Sequence, residues 1–261
     1  MKSVIRRTLW PLRLLLYLAT SVSAQAAERE PAPVLIHLPG IAGELPIDRE
    51  LVAGLVAGGV ASDATIIDWT GPDRGVPALR NVARHEAQSR LLADRIVALH
   101  NKDPRTPITL VGHSGGTGVA VNALERLPEG VHVRTLVLLA SALSPEYDLS
   151  AALRHVDGHA YSLHSRFDDW VLGHGTKAFG TYDRVYTEAA GKVGFTAPPT
   201  ADPAAYAKLT QFPYDPAWTR HGNGGDHVGP TNRRFARDVL AELIQGRPPS
   251  TTRPTDTPET P

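Results

Sequence analysis

The sequence predicts an α/β fold with a mostly parallel central sheet and helices on both of its faces. Short, nearly continuous apolar runs rich in valine, isoleucine and leucine alternate along the chain with longer segments of helical periodicity. Such continuous runs are typical of parallel strands that are buried on both faces. With 261 residues, the chain is long enough for one domain of this kind with a full hydrophobic core.

Five apolar runs are predicted to be strands, and the segments between them supply the helices. The predicted strands cover residues 34–38, 64–69, 108–111, 135–139 and 159–164. The predicted helices cover residues 49–57, 83–100, 119–127, 149–154 and 232–244. Asp48 is the predicted N-cap of the first helix. Residues 170–225 contain many glycines, prolines and aromatic side chains, and we expect a long irregular segment there.

The two ends of the chain are predicted to lie outside the folded domain, which spans residues 27–246. Residues 1–26 have a basic start, an apolar run and an A-x-A cleavage site, as in a signal peptide. An uncleaved membrane anchor is the alternative, which Arg13 within the apolar run disfavours. The proline-rich tail, residues 247–261, is expected to be disordered. We therefore expect a secreted or periplasmic protein with no stable membrane span after processing.

Composition and charge argue against several functions. The formal net charge is zero, which gives no indication of nucleic-acid binding. The chain has no cysteine, which excludes disulfides, a thiol nucleophile and cysteine-ligated zinc. The H-E-x-x-H motif of zinc hydrolases does not occur either. We expect neither a metal ion nor an organic cofactor.

The most specific motif of the sequence begins where the apolar run from Ile108 ends. It reads Gly112-His113-Ser114-Gly115-Gly116, which fits the pattern G-x-S-x-G, and a helix is predicted to follow. A sharp turn between strand and helix holds such a serine in a strained conformation with its hydroxyl exposed at the end of the strand. The flanking glycines let strand and helix cross closely. The motif predicts Ser114 as a nucleophile and the Gly115 amide as a donor to an oxyanion.

Two other interpretations of this motif stay open at this level. G-x-S-x-G occurs by chance in glycine-rich sequences, and glycine-rich turns before helices also bind phosphate groups. A phosphate-binding loop of the G-x-x-x-x-G-K-[ST] type requires a lysine, which this turn lacks. The strand before the motif and the helix after it favour the nucleophile.

The segment from Val111 to Gly118 resembles the nucleophile elbow of the α/β-hydrolase superfamily, which includes esterase- and lipase-like serine hydrolases. The resemblance covers most of residues 33–245 and implies the α/β-hydrolase fold. Many members insert a large helical cap before the catalytic acid. The interval between Leu139 and Asp168 is too short for one, so we expect no large cap domain.

The resemblance implies an acid and a histidine that complete a catalytic triad with Ser114, in the chain order serine, acid, histidine. His227 matches the family's histidine, because it lies in a glycine-rich loop just before the last predicted helix. Asp168 matches the acid that follows a strand, and the adjacent Asp169 is a competing candidate. The sequence has eleven histidines, and most of the others are expected to be ordinary solvated or hydrogen-bonded side chains.

The resemblance also implies an oxyanion loop after the first predicted strand. The segment from His37 to Gly43 resembles that loop, in which a glycine lets the next amide turn toward the serine. We expect the amides of Ile41 and Gly115 to be the oxyanion donors, with Gly40 and Ala42 as alternatives to Ile41. An ordinary turn between strand and helix is the other interpretation of this segment.

These parts predict a carboxylic-ester hydrolase, of the esterase or lipase type, that works through an acyl-enzyme intermediate. Its substrate would be a small-molecule or lipid ester. An acyltransferase with the same triad and a catalytically silent binding protein are the alternatives. Eight aromatic residues between Asp168 and His227 could line an apolar pocket or simply pack the loops. They are Trp170, Tyr182, Tyr186, Phe195, Tyr206, Phe212, Tyr214 and Trp218.

Overall fold

A computed structural model of the chain describes residues 30–247. The predicted signal peptide (residues 1–26) and all but the first residue of the predicted tail lie outside the described residues. Between residues 30 and 247, no helix is both long and apolar enough to cross a membrane.

The described residues contain one sheet of six strands, all of them parallel. The strands are β1 (Val34–Leu38), β2 (Asp63–Ile66), β3 (Ile108–His113), β4 (Val133–Leu139), β5 (Val156–His164) and β6 (Leu209–Pro213). Their order across the sheet is β2-β1-β3-β4-β5-β6, which places β3 near the centre. The inner strands are almost wholly buried, as their continuous apolar sequences predict.

Helices pack on both faces of this sheet, so the predicted α/β fold with a parallel central sheet is confirmed. The helices are α1 (Pro46–Ala57), α2 (Val76–Arg80), α3 (Val82–Lys102), α4 (Gly115–Leu124), α5 (Ser150–Arg154), α6 (Thr176–Phe179), α7 (Ala190–Val193), α8 (Pro203–Tyr206), α9 (Arg233–Phe235) and α10 (Ala241–Ile244). A π-helical segment, Ala236–Leu240, joins α9 to α10 without a break. Between β4 and Asp168 the chain forms only α5 and β5, so the predicted absence of a large cap there is confirmed.

The core is divided into two apolar layers, one on each face of the sheet. On one face, α1 and the C-terminal helix contribute Leu51, Leu55, Phe235, Val239 and Leu240. On the other face, α3, α4 and α5 contribute Leu92, Ile96, Val119, Leu124 and Leu153. The sheet is therefore shielded from water on both faces, and a ligand can reach it at the ends of the strands.

Several predicted element boundaries are wrong by a few residues. Helix α1 begins at Pro46, not at residue 49, because proline is favoured at the first helical position. Asp48 is therefore not the N-cap, although its Oδ2 accepts a hydrogen bond from the Leu45 amide. Helix α4 begins directly after Ser114 and ends at Leu124. Strand β2 ends at Ile66, three residues before the predicted end.

The predicted irregular segment, residues 170–225, contains the short α-helices α6, α7 and α8, a π-helical stretch (Asp169–Gly175), a 3-10 helix (Pro216–His221) and the strand β6. This strand was not predicted because it lies at the edge of the sheet, where none of its residues is buried. It therefore lacks the continuous apolar sequence of the inner strands. All strands end at the same side of the parallel sheet, so the loops after β1, β3 and β5 meet there.

Candidate active site

Ser114 occupies the turn between β3 and α4 in a strained backbone conformation. Its φ is 51° and its ψ is −123°, values that side-chain-bearing residues rarely adopt. The turn is held in place because the Ser114 amide donates to the Leu139 carbonyl at 2.9 Å. Thr117 Oγ1 donates to the Ser114 carbonyl at 2.6 Å. Ser114 is nearly buried, with 4% of its surface exposed.

The two glycines of the motif are required by close packing. A Cβ atom on Gly112 would lie 2.7 Å from the Thr117 Cα, and one on Gly116 would lie 2.3 Å from the Leu38 carbonyl oxygen. Both distances are shorter than any side chain tolerates. The first turn of α4 therefore packs directly on the end of β1, which brings the loop after β1 next to Ser114.

His227 and Asp168 form a short, well-defined pair. The Nδ1 atom of His227 donates to Oδ2 of Asp168 at 2.6 Å. The other carboxylate oxygen of Asp168 accepts from the Leu172 amide at 3.3 Å. Asp168 is 3% exposed, whereas the His227 ring remains partly open to solvent. Because a carboxylate can only accept, Nδ1 carries the proton and Nε2 keeps its lone pair in the neutral ring.

Asp169, the competing acid, points elsewhere. Its carboxylate lies 2.6 Å from the Lys192 ammonium, and its side chain is 55% exposed. Lys192 also pairs with Glu188 at 2.8 Å. Of the two adjacent aspartates, Asp168 is therefore the one whose carboxylate meets His227.

Ser114 and His227 line the same pocket, at the carboxyl end of the sheet. Among the described residues, no direct hydrogen bond joins the Ser114 hydroxyl to the His227 ring. Catalytic hydrogen bonds are often long in proteins without substrate and shorten when substrate binds. The structure therefore brings all three predicted triad residues to one place, with one of the two expected side-chain contacts formed.

His113 is a neighbour of the triad that the sequence did not single out. Its Nε2 donates to the His227 carbonyl at 3.0 Å, and the two rings lie 5.0 Å apart. Burial, with a smaller contribution from nearby His227, lowers the pKa of His113 to about 4. The ring is therefore neutral near pH 7 and fixes the backbone of the His227 loop to the end of β3.

A second histidine–aspartate pair lies beside the same pocket. His37 Nε2 and Asp48 Oδ1 are 2.8 Å apart, and both side chains are almost fully buried. The other ring nitrogen, Nδ1, donates to the Val111 carbonyl at 3.1 Å. Since both ring nitrogens are engaged, His37 presents no free lone pair to a substrate. Its hydrogen bonds instead connect β1, β3 and α1.

The loop after β1 approaches the first amide of α4. A Cβ atom on Gly115 would lie 2.6 Å from Cγ2 of Ile41 and 3.6 Å from its amide nitrogen. In the described part of the chain, the amides of Ile41 and Gly115 donate to no other group. The same is true of the amides of Gly40 and Ala42. We refer to residues 39–44 as the oxyanion loop; its predicted donors lie beside Ser114 with their hydrogens unused.

The pocket that contains Ser114 is small and mostly apolar, with a volume of about 160 Å³. Its apolar walls are Ile41, Leu45, Ile47, Val171 and Val228. Asp48 also borders it, but both of its oxygens are already bonded, to His37 and to the Leu45 amide. The pocket therefore presents no free charge to whatever enters it.

None of the aromatic residues between Asp168 and His227 lines this pocket. Tyr182 is buried against α3 and α4, and its ring stacks on His85 with centroids 4.0 Å apart. Tyr214 and Trp218 pack against each other behind the triad. Trp170 is 85% exposed. For most of these residues, loop packing is the interpretation that the structure favours.

Comparisons with known proteins give matches among solved structures alone. No protein-family model matches the chain, and no curated protein matches it. One similar structure is a protein assigned as a hydrolase of the alpha/beta superfamily from Xanthomonas campestris pv. campestris. The identity is 17%, 82% of this chain and 98% of that chain are covered, and the TM-score is 0.47.

Two further similar structures are esterases. The catalytic core domain of acetyl xylan esterase from Trichoderma reesei is 15% identical, with 84% of this chain and 100% of that chain covered and a TM-score of 0.46. An esterase from Pyrococcus furiosus is 13% identical, with 83% of this chain and 80% of that chain covered and a TM-score of 0.42. The proposals below are drawn from the geometry of the site itself.

Proposed function

We propose that this chain is a serine hydrolase of the α/β-hydrolase type that cleaves carboxylic esters. The observation that carries the proposal is the arrangement around one pocket. A strained serine and a histidine oriented by a buried aspartate both face it, and unused backbone amides lie beside the serine. Acyl transfer through serine uses a serine nucleophile, a base oriented by a carboxylate, and amides that receive the oxyanion.

The mechanism assigns one role to each group. His227 Nε2 removes the proton of the Ser114 hydroxyl, whose oxygen attacks the ester carbonyl carbon. The amides of Ile41 and Gly115 stabilise the resulting oxyanion, and each such donor is worth about 3 kcal/mol of the barrier. The imidazolium, stabilised by Asp168, returns the proton to the departing alcohol. Water then attacks the acyl-enzyme with the same assistance and releases the acid.

The pocket indicates a short, uncharged acyl group. Its volume of about 160 Å³ is close to that of a protein cavity of about 150 Å³ that binds one benzene molecule. A chain of about four to six carbons would fill such a space. A charged acyl group would lose its hydration without gaining a partner, because the walls are apolar and Asp48 is already bonded.

The first test is hydrolysis of p-nitrophenyl butyrate by the purified chain, by Ser114→Ala and by Ser144→Ala. Ser144 is a matched control, since it is a nearly buried serine whose hydroxyl bonds Asp183. We expect turnover by the wild type and by the control, and background rates for Ser114→Ala. Reaction of Ser114 with a fluorophosphonate should follow the same pattern. An inactive wild type with an unreactive Ser114 would contradict the proposal.

The second test varies the two halves of the ester separately. With p-nitrophenol as the constant leaving group, we expect kcat/KM to be highest for acyl chains of about four to six carbons and to fall beyond them. Ile47→Ala, which enlarges the pocket, should move this maximum to longer chains. A series of acetyl esters with different alcohols should show a weaker dependence. Product analysis with an added alcohol tests the acyltransferase alternative.

A further inference from the structure

The oxyanion loop is held by one neighbouring segment, residues 68–75, which we call the clamp. The clamp lies between β2 and α2, so it comes from a different part of the chain than the oxyanion loop. Trp69, within the clamp, is completely buried. None of its residues contributes to the triad.

Hydrogen bonds from the clamp engage three carbonyl groups of the oxyanion loop. Trp69 Nε1 donates to the Pro39 carbonyl at 2.8 Å. The Gly75 amide donates to the Ile41 carbonyl at 2.8 Å. The Arg74 guanidinium donates to the Ala42 carbonyl at 2.9 Å. The carbonyl of Gly40 is engaged within the loop, by the Gly43 amide at 3.1 Å.

These bonds decide where the loop's amides point. In a trans peptide, the carbonyl of one residue and the amide of the next point in opposite directions. Holding the carbonyls of Pro39, Gly40 and Ile41 therefore directs the amides of Gly40, Ile41 and Ala42 away from the donors that bond those carbonyls. These are the three candidate donors of the loop, and their amide hydrogens are unused in the described part of the chain.

Asp68 organises the clamp itself. Its Oδ2 accepts from Arg74 at 3.2 Å and from the Glu44 amide of the oxyanion loop at 3.1 Å. Its Oδ1 accepts from the Thr70 hydroxyl at 2.6 Å. Burial raises the pKa of Asp68, but the hydrogen bonds and the Arg74 charge outweigh it and hold that pKa below its usual value. Asp68 is therefore an anion near neutral pH.

The space between the clamp and the loop is too narrow for a side chain on the loop. Gly43 has a φ of +75°, and a Cβ atom there would lie 2.7 Å from Asp68 Oδ2 and 3.0 Å from Arg74 Cζ. The Asp68 carboxylate and the Arg74 guanidinium therefore lie directly against the backbone of the oxyanion loop.

We propose that Asp68 and Arg74 are positioning residues for the oxyanion hole. They touch no reacting atom in this scheme. Arg74, held by Asp68, fixes the Ala42–Gly43 peptide, and the Gly43 amide in turn holds the Gly40 carbonyl. The pair therefore acts on the Ile41 amide through one intervening peptide. The inference rests on the proposed function, since the loop has this role only if Ser114 forms an acyl-enzyme. It predicts that loosening the clamp weakens binding of the transition state more than binding of the substrate.

The test compares Arg74→Gln, Arg74→Lys and Arg49→Gln. The Arg74 side chain is about half exposed, so its loss should leave the fold intact. Arg49 is a matched control, because it is an exposed arginine that pairs with the Glu44 side chain on the same loop and touches no loop carbonyl. For each protein we would measure kcat and KM for p-nitrophenyl butyrate, the melting temperature, and inhibition by butylboronic acid. The boronic acid mimics the tetrahedral intermediate on Ser114.

For Arg74→Gln we expect kcat to fall about tenfold while KM changes by less than about twofold, with boronate affinity falling in parallel. Arg74→Lys should recover part of the loss, and Arg49→Gln should match the wild type. Two results would overturn the positioning role. One is an equal loss of kcat in Arg49→Gln, and the other is an unchanged kcat in Arg74→Gln while Ser114→Ala is inactive. Either result would leave the esterase proposal standing. A wild type that neither hydrolyses esters nor reacts at Ser114 would overturn both.

Discussion

Two histidine–aspartate pairs flank one pocket in this protein, and they differ in what the second ring nitrogen of the histidine bonds. His227 and Asp168 are 2.6 Å apart, and His37 and Asp48 are 2.8 Å apart. In both pairs the aspartate is nearly fully buried and also accepts a backbone amide. The second nitrogen of His227 bonds no group in the described chain, whereas that of His37 donates to the Val111 carbonyl.

This difference separates a base from a structural link. A general base needs a nitrogen lone pair that can reach the substrate's proton. His227 keeps one, because Asp168 fixes the proton on Nδ1 and leaves Nε2 facing the pocket. His37 has none to offer, because both of its ring nitrogens already bond buried groups of the protein. A buried histidine–aspartate contact is therefore no sign of catalysis until the other nitrogen has been accounted for.

The largest expected effect comes from Asp168→Asn. An asparagine amide would donate to His227 Nδ1 and move the ring proton to Nε2, where it can no longer accept from Ser114. We expect kcat to fall by about 10⁴-fold with a melting temperature close to that of the wild type. Steady-state kinetics and thermal melts of the same preparations test this. Activity within about tenfold of the wild type would remove Asp168 from the triad.

The same substitution in the other pair should have little effect. In Asp48→Asn, the amide can donate to His37 Nε2 and the carbonyl can still accept from the Leu45 amide, so we expect near-normal stability and activity. Asp48→Ala leaves the buried His37 Nε2 without a partner and removes the acceptor of the Leu45 amide, so it should lower the free energy of unfolding by about 3 kcal/mol. Urea denaturation of the two variants provides the comparison. A loss of kcat without a loss of stability would contradict a structural role for Asp48.

A smaller effect is expected from His113, the last residue of β3, which bonds the backbone of His227. Burial and nearby His227 lower the pKa of His113 to about 4, whereas an unfolded histidine has a pKa of about 6.5. Between these values the unfolded chain binds a proton that the folded chain does not, so stability rises with pH from about 4 to about 6.5. Above that range the stability no longer depends on this group.

His113→Gln keeps a donor for the His227 carbonyl but cannot titrate. We expect its unfolding free energy to depend less on pH than that of the wild type across this range, by up to about 1.4 kcal/mol per pH unit. Burial also lowers the pKa of His85 and His164, so some slope should persist. Urea melts at half-unit pH intervals measure the difference. Equal slopes in the two proteins would show that His113 is protonated in the folded state.

The elbow could be predicted from the sequence because its determinants are local. An apolar run, a serine between glycines and a following helix lie within about fifteen residues, and each has its own steric reason. Asp168 and His227 required the family resemblance, because they are 59 positions apart and no local pattern brings them together. The choice between Asp168 and Asp169 depended on where two adjacent side chains point, which only the folded loop determines.

The contact between His37 and Asp48 and the contacts of the clamp could not be predicted from the sequence. His37 and Asp48 are 11 positions apart across the turn that joins β1 to α1, and the geometry of that turn places them in contact. The clamp depends on backbone carbonyls, which every residue possesses, so no motif marks their acceptors. The start of α1 is different, since Pro46 is a standard first helical residue and could have corrected the predicted boundary.

The strained backbone at Ser114 has a consequence for how this protein can change. A glycine there would adopt φ 51° and ψ −123° without steric conflict, and relief of the strain would outweigh the added freedom of the unfolded chain by on the order of 1 kcal/mol. Selection for thermal stability alone would thus favour loss of the nucleophile. Under the proposed mechanism, a serine in this conformation therefore gives up some stability in exchange for reactivity.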